Sequence, residues 1–458
     1  MKRQIAIPFL FAMILASCKK FVTADPPKNQ IIGSTVFTDD VTAISAIKGI
    51  FNKMSSGGEF AAGGIKSVTH LAGLSADDYY NFEPAFDFYF ANSLSATTVG
   101  TNLWSIPYLL INNTNAAIDG LTNSTSVTST VKNELLGEAK FIRAFCYFYL
   151  VNLFGDVPLI LSTDYKINAI APRTPQDQVY QQIVADLKEA QSLLSDSYSF
   201  TNEERVEPNK WAAKALLARV YLFLNDWTNA EAESTAVIDN SGLYSLNSDL
   251  NSVFLMNSEE AIWQLLPEGG IVNWTHEGSM FIPTGIPMHV SLSDQLLHSF
   301  ESGDFRRANW VDSIIVDSTT YYYPYKYKVM SATSLTEYSM VLRLAEQYLI
   351  RAEARAQQEN ISGSQNDLNI IRNRAGLANT IATDKTSLLS AILHERQVEL
   401  FSEWGHRWLD LKRTKNIDAV MGVMTPQKGG SWKTEWQLYP IPQSEILNDQ
   451  NLTQNAGY

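Results

Sequence analysis

Cysteine is nearly absent from this 458-residue chain, which carries only Cys18 and Cys146. If Cys18 is consumed in processing, as argued below, Cys146 has no intramolecular partner. Disulfides are then excluded as the device that holds the fold together, even in an oxidising compartment. Clusters of basic residues are missing too. With a formal net charge of −13 and no grouped Lys or Arg to release counterions from phosphate, nucleic acid is set aside as a partner. There is no phosphate loop with Gly-Lys-Ser/Thr, no Gly-x-Ser-x-Gly elbow and no cysteine pattern suited to metal. The six histidines are scattered. His394 opens "HERQV", but Val398 stands where a zinc protease would place its second histidine, so that site fails. Long polar or repetitive tracts are lacking as well. Hydrophobic residues make up 45% of the chain and charged residues 18%, which indicates a folded globular protein large enough for one big domain or a few ordinary ones.

What is present begins at the N-terminus. Lys2 and Arg3 precede the apolar run "IAIPFLFAMILAS", which is the length of a signal-peptide core and too short to cross ~30 Å of hydrocarbon as a stable helix. The run ends in "LASC", Leu15 to Cys18, which resembles the bacterial lipobox, where the cysteine is lipidated and becomes the mature N-terminus. Residues 1–17 thus read as a lipoprotein signal peptide, and its removal makes the chain two charges more negative. Three acyl chains at Cys18 would moor the protein firmly, because each buried CH₂ contributes about 0.8 kcal/mol. Residues 18–33, with Pro26 and Pro27, read as a tether that spans about 50 Å when extended.

The body from residue 34 onward is expected to be mainly α. In "NELLGEAKFIRAFCYFYLVNLFG", Leu135, Ala139, Ile142, Cys146, Tyr149 and Leu153 recur at spacings of four and three. The second half is apolar nearly all round, as in a deeply buried helix. Gly155 and Pro158 stop it. "NKWAAKALLARVYLFL" and "DWTNAEAESTAVID" read as an antiparallel helix pair, and "VLRLAEQYLIRAEARAQQ" with "SQNDLNIIRNRAGL" as another, followed by a helix through "TSLLSAILHERQVELFSEW". The pairs look like degenerate tetratricopeptide repeats that build one helical scaffold. Between about 241 and 335 the pattern breaks into Gly, Pro, Ser and aromatics with β-prone runs such as "SIIVDS" and "TYYYPYKYKV", which predicts loops and small sheets lying on that scaffold.

Glu346, Glu353, Glu395, Glu399 and Glu403 lie in helices beside Arg343, Arg351, Arg396 and Arg407. Two carboxylates across a cleft could hydrolyse a glycosidic bond. Opposite charges interleaved on packed helices more commonly pair and set register, so these residues read as scaffold.

Five ordered blocks, "RAFCYFYLVNLFGDVPLI", "RLAEQYLIRAEA", "LNIIRNRAGL", "ERQVELFSEWGHRWLDLKR" and "LYPIPQSEILNDQNLTQNAGY", resemble the SusD/RagB family of Bacteroidota outer-membrane lipoproteins, and "WSIPYLLINNTNAAID" fits the same pattern. The resemblance implies a lipid-anchored, cell-surface binding protein with tetratricopeptide-like units. It would cap a SusC-like TonB-dependent barrel, present nutrient (commonly oligosaccharide) to it, and need neither catalysis nor cofactor nor metal. A large interface between barrel and scaffold would leave apolar surface exposed. The alternatives are a cap for another nutrient such as peptides, and a surface glycoside hydrolase.

In that family, ligands are held by loops after an early segment, here "DDYYNFEPAFDFYF" (residues 77 to 90), and by the variable middle region. Sugar C–H faces pack on flat rings while hydroxyls bond to Asp and Asn. The candidates on one side are Tyr79, Tyr80 and Phe82, with Asp77, Asp78 and Asn81 as polar partners. Trp274 and Trp310 would form the other side. Phe86, Phe88 and Phe90 alternate as in a half-buried strand and are assigned to the core, as are Trp104 and Tyr108.

Overall fold

The computed structural model describes residues 36–458; the signal segment, Cys18 and the tether lie outside the described residues. Helices form the frame. The first is α1 (Asp40–Ser55), whose cap Asp39 accepts from the Thr42 N–H at 2.9 Å, and α2 (Val68–Ser75) is buried along its whole length. Then α3 (Asn102–Asn123) packs on α1, and α4 (Ser129–Phe154), α5 (Gln176–Leu193), α6 (Lys210–Phe223), α7 (Trp227–Ile238), α8 (Leu344–Gln357) and α9 (Ile361–Arg374) pack each on its predecessor, while α10 (Lys385–Leu400) lies against α8 and α9. This is the expected repeat-like scaffold. From Phe141 to Phe154 every residue of α4 is buried, and Gly155 at φ +77° ends the helix in a conformation that only glycine adopts without strain. In α6, Ala212, Ala213, Ala215 and Ala218 are fully buried; their small side chains let neighbouring helices approach closely. α6 is capped by Asn209, which accepts from the Trp211 and Ala212 N–H groups, and α10 carries a capping box between Asp384 and Ser387.

Buried ion pairs join successive helices. Arg143 of α4 grips Asp186 of α5 at 2.8 and 2.6 Å and donates to Asn115 of α3. Arg219 of α6 holds Glu346 of α8 at 2.7 and 2.6 Å, and Arg351 of α8 holds Asp367 of α9. In α11 (His406–Arg413), Arg413 reaches Glu353 of α8 and Asp410 receives Arg396 of α10. Glu395 pairs with Arg306 and Arg372, Glu399 with Arg306, Arg343 and Arg374, and Glu403 with Arg343 and Lys326. Burial alone would raise the Glu399 carboxyl, but Arg374, Arg343 and Arg306 together hold it well below the usual carboxylate range. Each of these carboxylates is buried and matched by a cation, the arrangement expected of scaffold ion pairs.

Two-stranded sheets decorate the scaffold. β1 (Tyr79–Asn81) pairs antiparallel with β3 (Val290–Leu292), and β2 (Ala261–Leu265) pairs antiparallel with β6 (Ser339–Arg343). β4 (Val311–Val316) and β5 (Thr319–Pro324) form a hairpin whose two turn residues, Asp317 and Ser318, have φ of +47° and +68°, the handedness a tight hairpin requires. α12 (Ile417–Gln427) follows, and short helical turns at Thr434–Gln437 and Gln443–Asn448 lie in the C-terminal segment. The largest cluster of buried side chains runs from Ala43 to Leu452, and a smaller one lies beneath α8, α9 and α10.

The aromatic alternation at 86–90 does not form a strand. Pro84–Phe86 is a 3-10 turn running into the helical turn Asp87–Phe90. In helical geometry neighbouring residues no longer alternate faces, so Tyr89 is buried while Phe88 is 43% exposed and Phe86 and Phe90 are half-buried.

Candidate ligand-binding site

The pairing of β1 with β3 sets Tyr79 opposite Leu292 and Tyr80 opposite Ser291. The two-residue period of a strand then sends successive rings to opposite sides. Tyr79 is 1% exposed and Tyr80 42%. Beyond β3, Ser293 donates its Oγ to the Asp77 carbonyl at 2.5 Å and its N–H to the Asp78 carbonyl at 2.9 Å, and caps the short helix Asp294–Ser299 by accepting from Leu296. That docking brings Asp294 beside Tyr80, whose hydroxyl donates to Oδ2 at 3.1 Å.

A cleft of about 470 Å³ opens here. Tyr80, Asn81 and Phe90 line one wall, Asp294, Gln295 and His298 the facing one, and Met424, Gln427 and Lys428 at the end of α12 close it. Asp77 forms part of the floor, fixed by Arg407 through Nε and Nη2 at 2.7 Å each. Lys428 directs its ammonium onto the carbonyls of Leu74, Ser75 and Ala76, at 2.8 and 3.4 Å for the first two. Burial lowers the Lys428 amine to about 7, against the opposing pull of Asp77 and Asp78. The same cleft therefore holds one exposed tyrosine ring, three amides (Asn81, Gln295 and Gln427) and the exposed carboxylate of Asp294, above charges already fixed by their partners. These are the elements that stack a sugar face and bond its hydroxyls.

The sequence-derived candidates divide. Asp77, Tyr79, Tyr80 and Asn81 do converge on the cleft, but Tyr79 belongs to the core, its ring packed on Phe281 at 5.8 Å. Asp78 is interior: burial, reinforced by Asp77, raises its carboxyl to about 7. Phe82 packs edge-on against Tyr321 at 5.6 Å and is no part of the lining. The expected second wall of Trp274 and Trp310 is a misassignment. Trp310 is 0% exposed, its indole N–H donates to the Leu250 carbonyl at 2.9 Å, and Lys326 sits over its ring. Trp274 is half-buried and does not line the cleft. The cleft is lined instead by Asp294, Gln295 and His298 with Gln427 and Lys428, none of them a sequence-derived candidate. The only advance signal was the β-prone "HVSLS" after a Pro-rich loop.

Comparison with known proteins agrees with this architecture. A family profile described as "Starch-binding associating with outer membrane" matches residues 72–222, and one described as "SusD family" matches 310–458. A SusD-like protein of Formosa agariphila is 28% identical over 421 residues, covering 78% of this chain and 80% of its own. The starch-binding protein SusD of Bacteroides thetaiotaomicron is 22% identical, covering 70% and 72%. Among solved structures, a SusD superfamily protein of Bacteroides vulgatus superposes with a TM-score of 0.82 at 21% identity, over 93% of this chain and all of the other. A laminarin-binding SusD-like protein superposes at 0.77 with 21% identity, over 92% and 100%.

Proposed function

This chain belongs to the SusD/RagB family of outer-membrane-associated, glycan-binding proteins, and from that premise we propose that it holds an oligosaccharide in the Tyr80 cleft for delivery to a membrane transporter. The observation that carries the reading is the pairing of an exposed ring with convergent polar groups. Tyr80 is oriented by Asp294 and flanked by Asn81, Gln295 and Gln427. No bond of the ligand is broken, since the scaffold carboxylates that could serve as acid and base are buried in ion pairs.

The partner in this reading is a SusC-like TonB-dependent barrel, with the protein moored on the cell surface through lipid on Cys18. Support for docking comes from exposed apolar side chains around a shallow cleft lined by Tyr108, Ile160 and Asn448. Leu109, Leu161, Tyr165, Ile167, Ile170 and Leu447, on the segments that contribute its lining, are exposed, and contiguous exposed apolar surface marks interaction sites. The rest of the chain, residues 34–458, acts as a single binding body on its tether.

Isothermal titration of the soluble body against neutral oligosaccharides and short peptides tests the site. We expect saturable glycan binding that Tyr80→Ala weakens by about tenfold with unchanged thermal unfolding; a glycan that binds the variant as tightly as the wild type removes the cleft assignment, and binding of peptides alone replaces the ligand class. Loss of barrel co-purification on Leu161→Asp with Ile167→Asp tests the docking face, and loss of radiolabelled palmitate on Cys18→Ser tests the anchor.

A further inference from the structure

On the far side of the Asp77–Arg407 pair lies a larger groove, about 560 Å³, between the start of α7 and helices α8, α10 and α11. That volume falls in the range of small-ligand sites. We propose that this groove is a second carbohydrate site, one that takes a neutral sugar of one or two rings, independent of the Tyr80 cleft.

The charged residues of the groove wall, Lys415 apart, are already committed. Arg413 holds Glu353 at 2.5 and 2.8 Å and also reaches Asp410 at 2.7 Å, and Arg407 is clamped on Asp77. Lys415 stands exposed at the edge. What remains along the wall is neutral and hydrogen-bonding: Asn225, Gln357, Thr386, Ser390, Gln397 and Asn416. A polyhydroxylated, uncharged molecule matches such a surface, because each hydroxyl both donates and accepts.

Gln397 is the strongest indication. It is 8% exposed, lines the groove, and its Nε2 has no hydrogen-bond partner among the described residues. A buried amide left unmatched is costly and uncommon. A ligand hydroxyl would satisfy it whichever way the amide is turned. Trp227 supplies the flat apolar face. Its ring is half-buried and lines the groove, and its indole N–H makes no hydrogen bond among the described residues, so a donor is left for a sugar oxygen. Leu389 and Leu393 extend the apolar strip along α10.

The test is calorimetric titration and saturation-transfer NMR of the full soluble body with laminaribiose, cellobiose, maltose and, as a charged control, glucuronate. We expect at least one neutral disaccharide to occupy a site that persists in Tyr80→Ala, is weakened about tenfold by Gln397→Leu and by Trp227→Ala, and is partly restored by Trp227→Phe, with Gln397→Leu unfolding no earlier than the wild type. Binding abolished by Tyr80→Ala alone, indifference to both groove variants, or saturation by glucuronate only would each overturn the proposal. If Tyr80→Ala has no effect while the groove variants do, the groove stands and the front-cleft reading falls.

Discussion

Arg407 clamps Asp77 through two hydrogen bonds of 2.7 Å, yet the two residues line different cavities: the carboxylate forms floor for the Tyr80 cleft and the guanidinium forms wall for the groove behind it. Removing one partner strands a buried charge, so Arg407→Met should destabilise the fold by about 3–5 kcal/mol. The double variant Asp77→Leu with Arg407→Met should cost clearly less. Urea denaturation of the three proteins measures the difference, and equal losses in single and double variants would show that the pair is not the origin.

The same logic applies between helices. Arg219 and Glu346 join α6 to α8 at 2.7 and 2.6 Å, both nearly sealed from solvent. Glu346→Leu alone should destabilise by about 3–5 kcal/mol, and adding Arg219→Met should recover much of it. A double-mutant cycle in denaturant reads the coupling directly.

Glu277 gives a pH signature. Burial raises its carboxyl to about 7; Ser339 donates to one oxygen, while the other has no hydrogen-bond partner among the described residues. Because the folded value lies above the unfolded one near 4.5, the folded state binds the proton more tightly. The stability this contributes is present below about pH 4 and is lost as pH rises through 7. Glu277→Gln, neutral at every pH, should therefore gain on the wild type by on the order of 1–3 kcal/mol between pH 5 and pH 8. Parallel melting curves at the two pH values would sink this if the gap stays constant.

Ligand charge is the next expectation. At the Tyr80 cleft the Asp77 carboxylate is matched by Arg407 from behind and Lys428 is engaged by main-chain carbonyls, while Asp294 on its wall and Asp87 beside Asn81 are exposed carboxylates. Neutral oligosaccharides should bind at least about tenfold more tightly than uronate oligomers of equal length, and only the latter should improve as salt screens repulsion. Titrations at low and high ionic strength decide it.

The scaffold was legible because burial leaves a repeated trace in one dimension. The stripe from Leu135 to Leu153 and the alanines of α6 each reflect contact with the next helix along the chain. The cleft was only half legible. Tyr80 stood out in its aromatic run, but its hydroxyl partner Asp294 lies 214 residues away, and Lys428 reaches the Ala76 carbonyl across 352. No local period encodes such meetings. Residue type also misled: Trp310 is as able to stack a sugar as any indole, but the Leu250 carbonyl satisfies its N–H inside the core. Pro84 turned an apparent strand into a helical turn.

That long reach has a consequence for the order of synthesis. A nascent polypeptide displays Tyr80 early, but α12 and Lys428, which close the pocket and tie down the carbonyls at the end of α2, emerge from the ribosome in the final tenth of translation. Competence to hold a ligand therefore arrives all at once and late, so C-terminal truncations that spare the whole front half should be blind to ligand however well they fold.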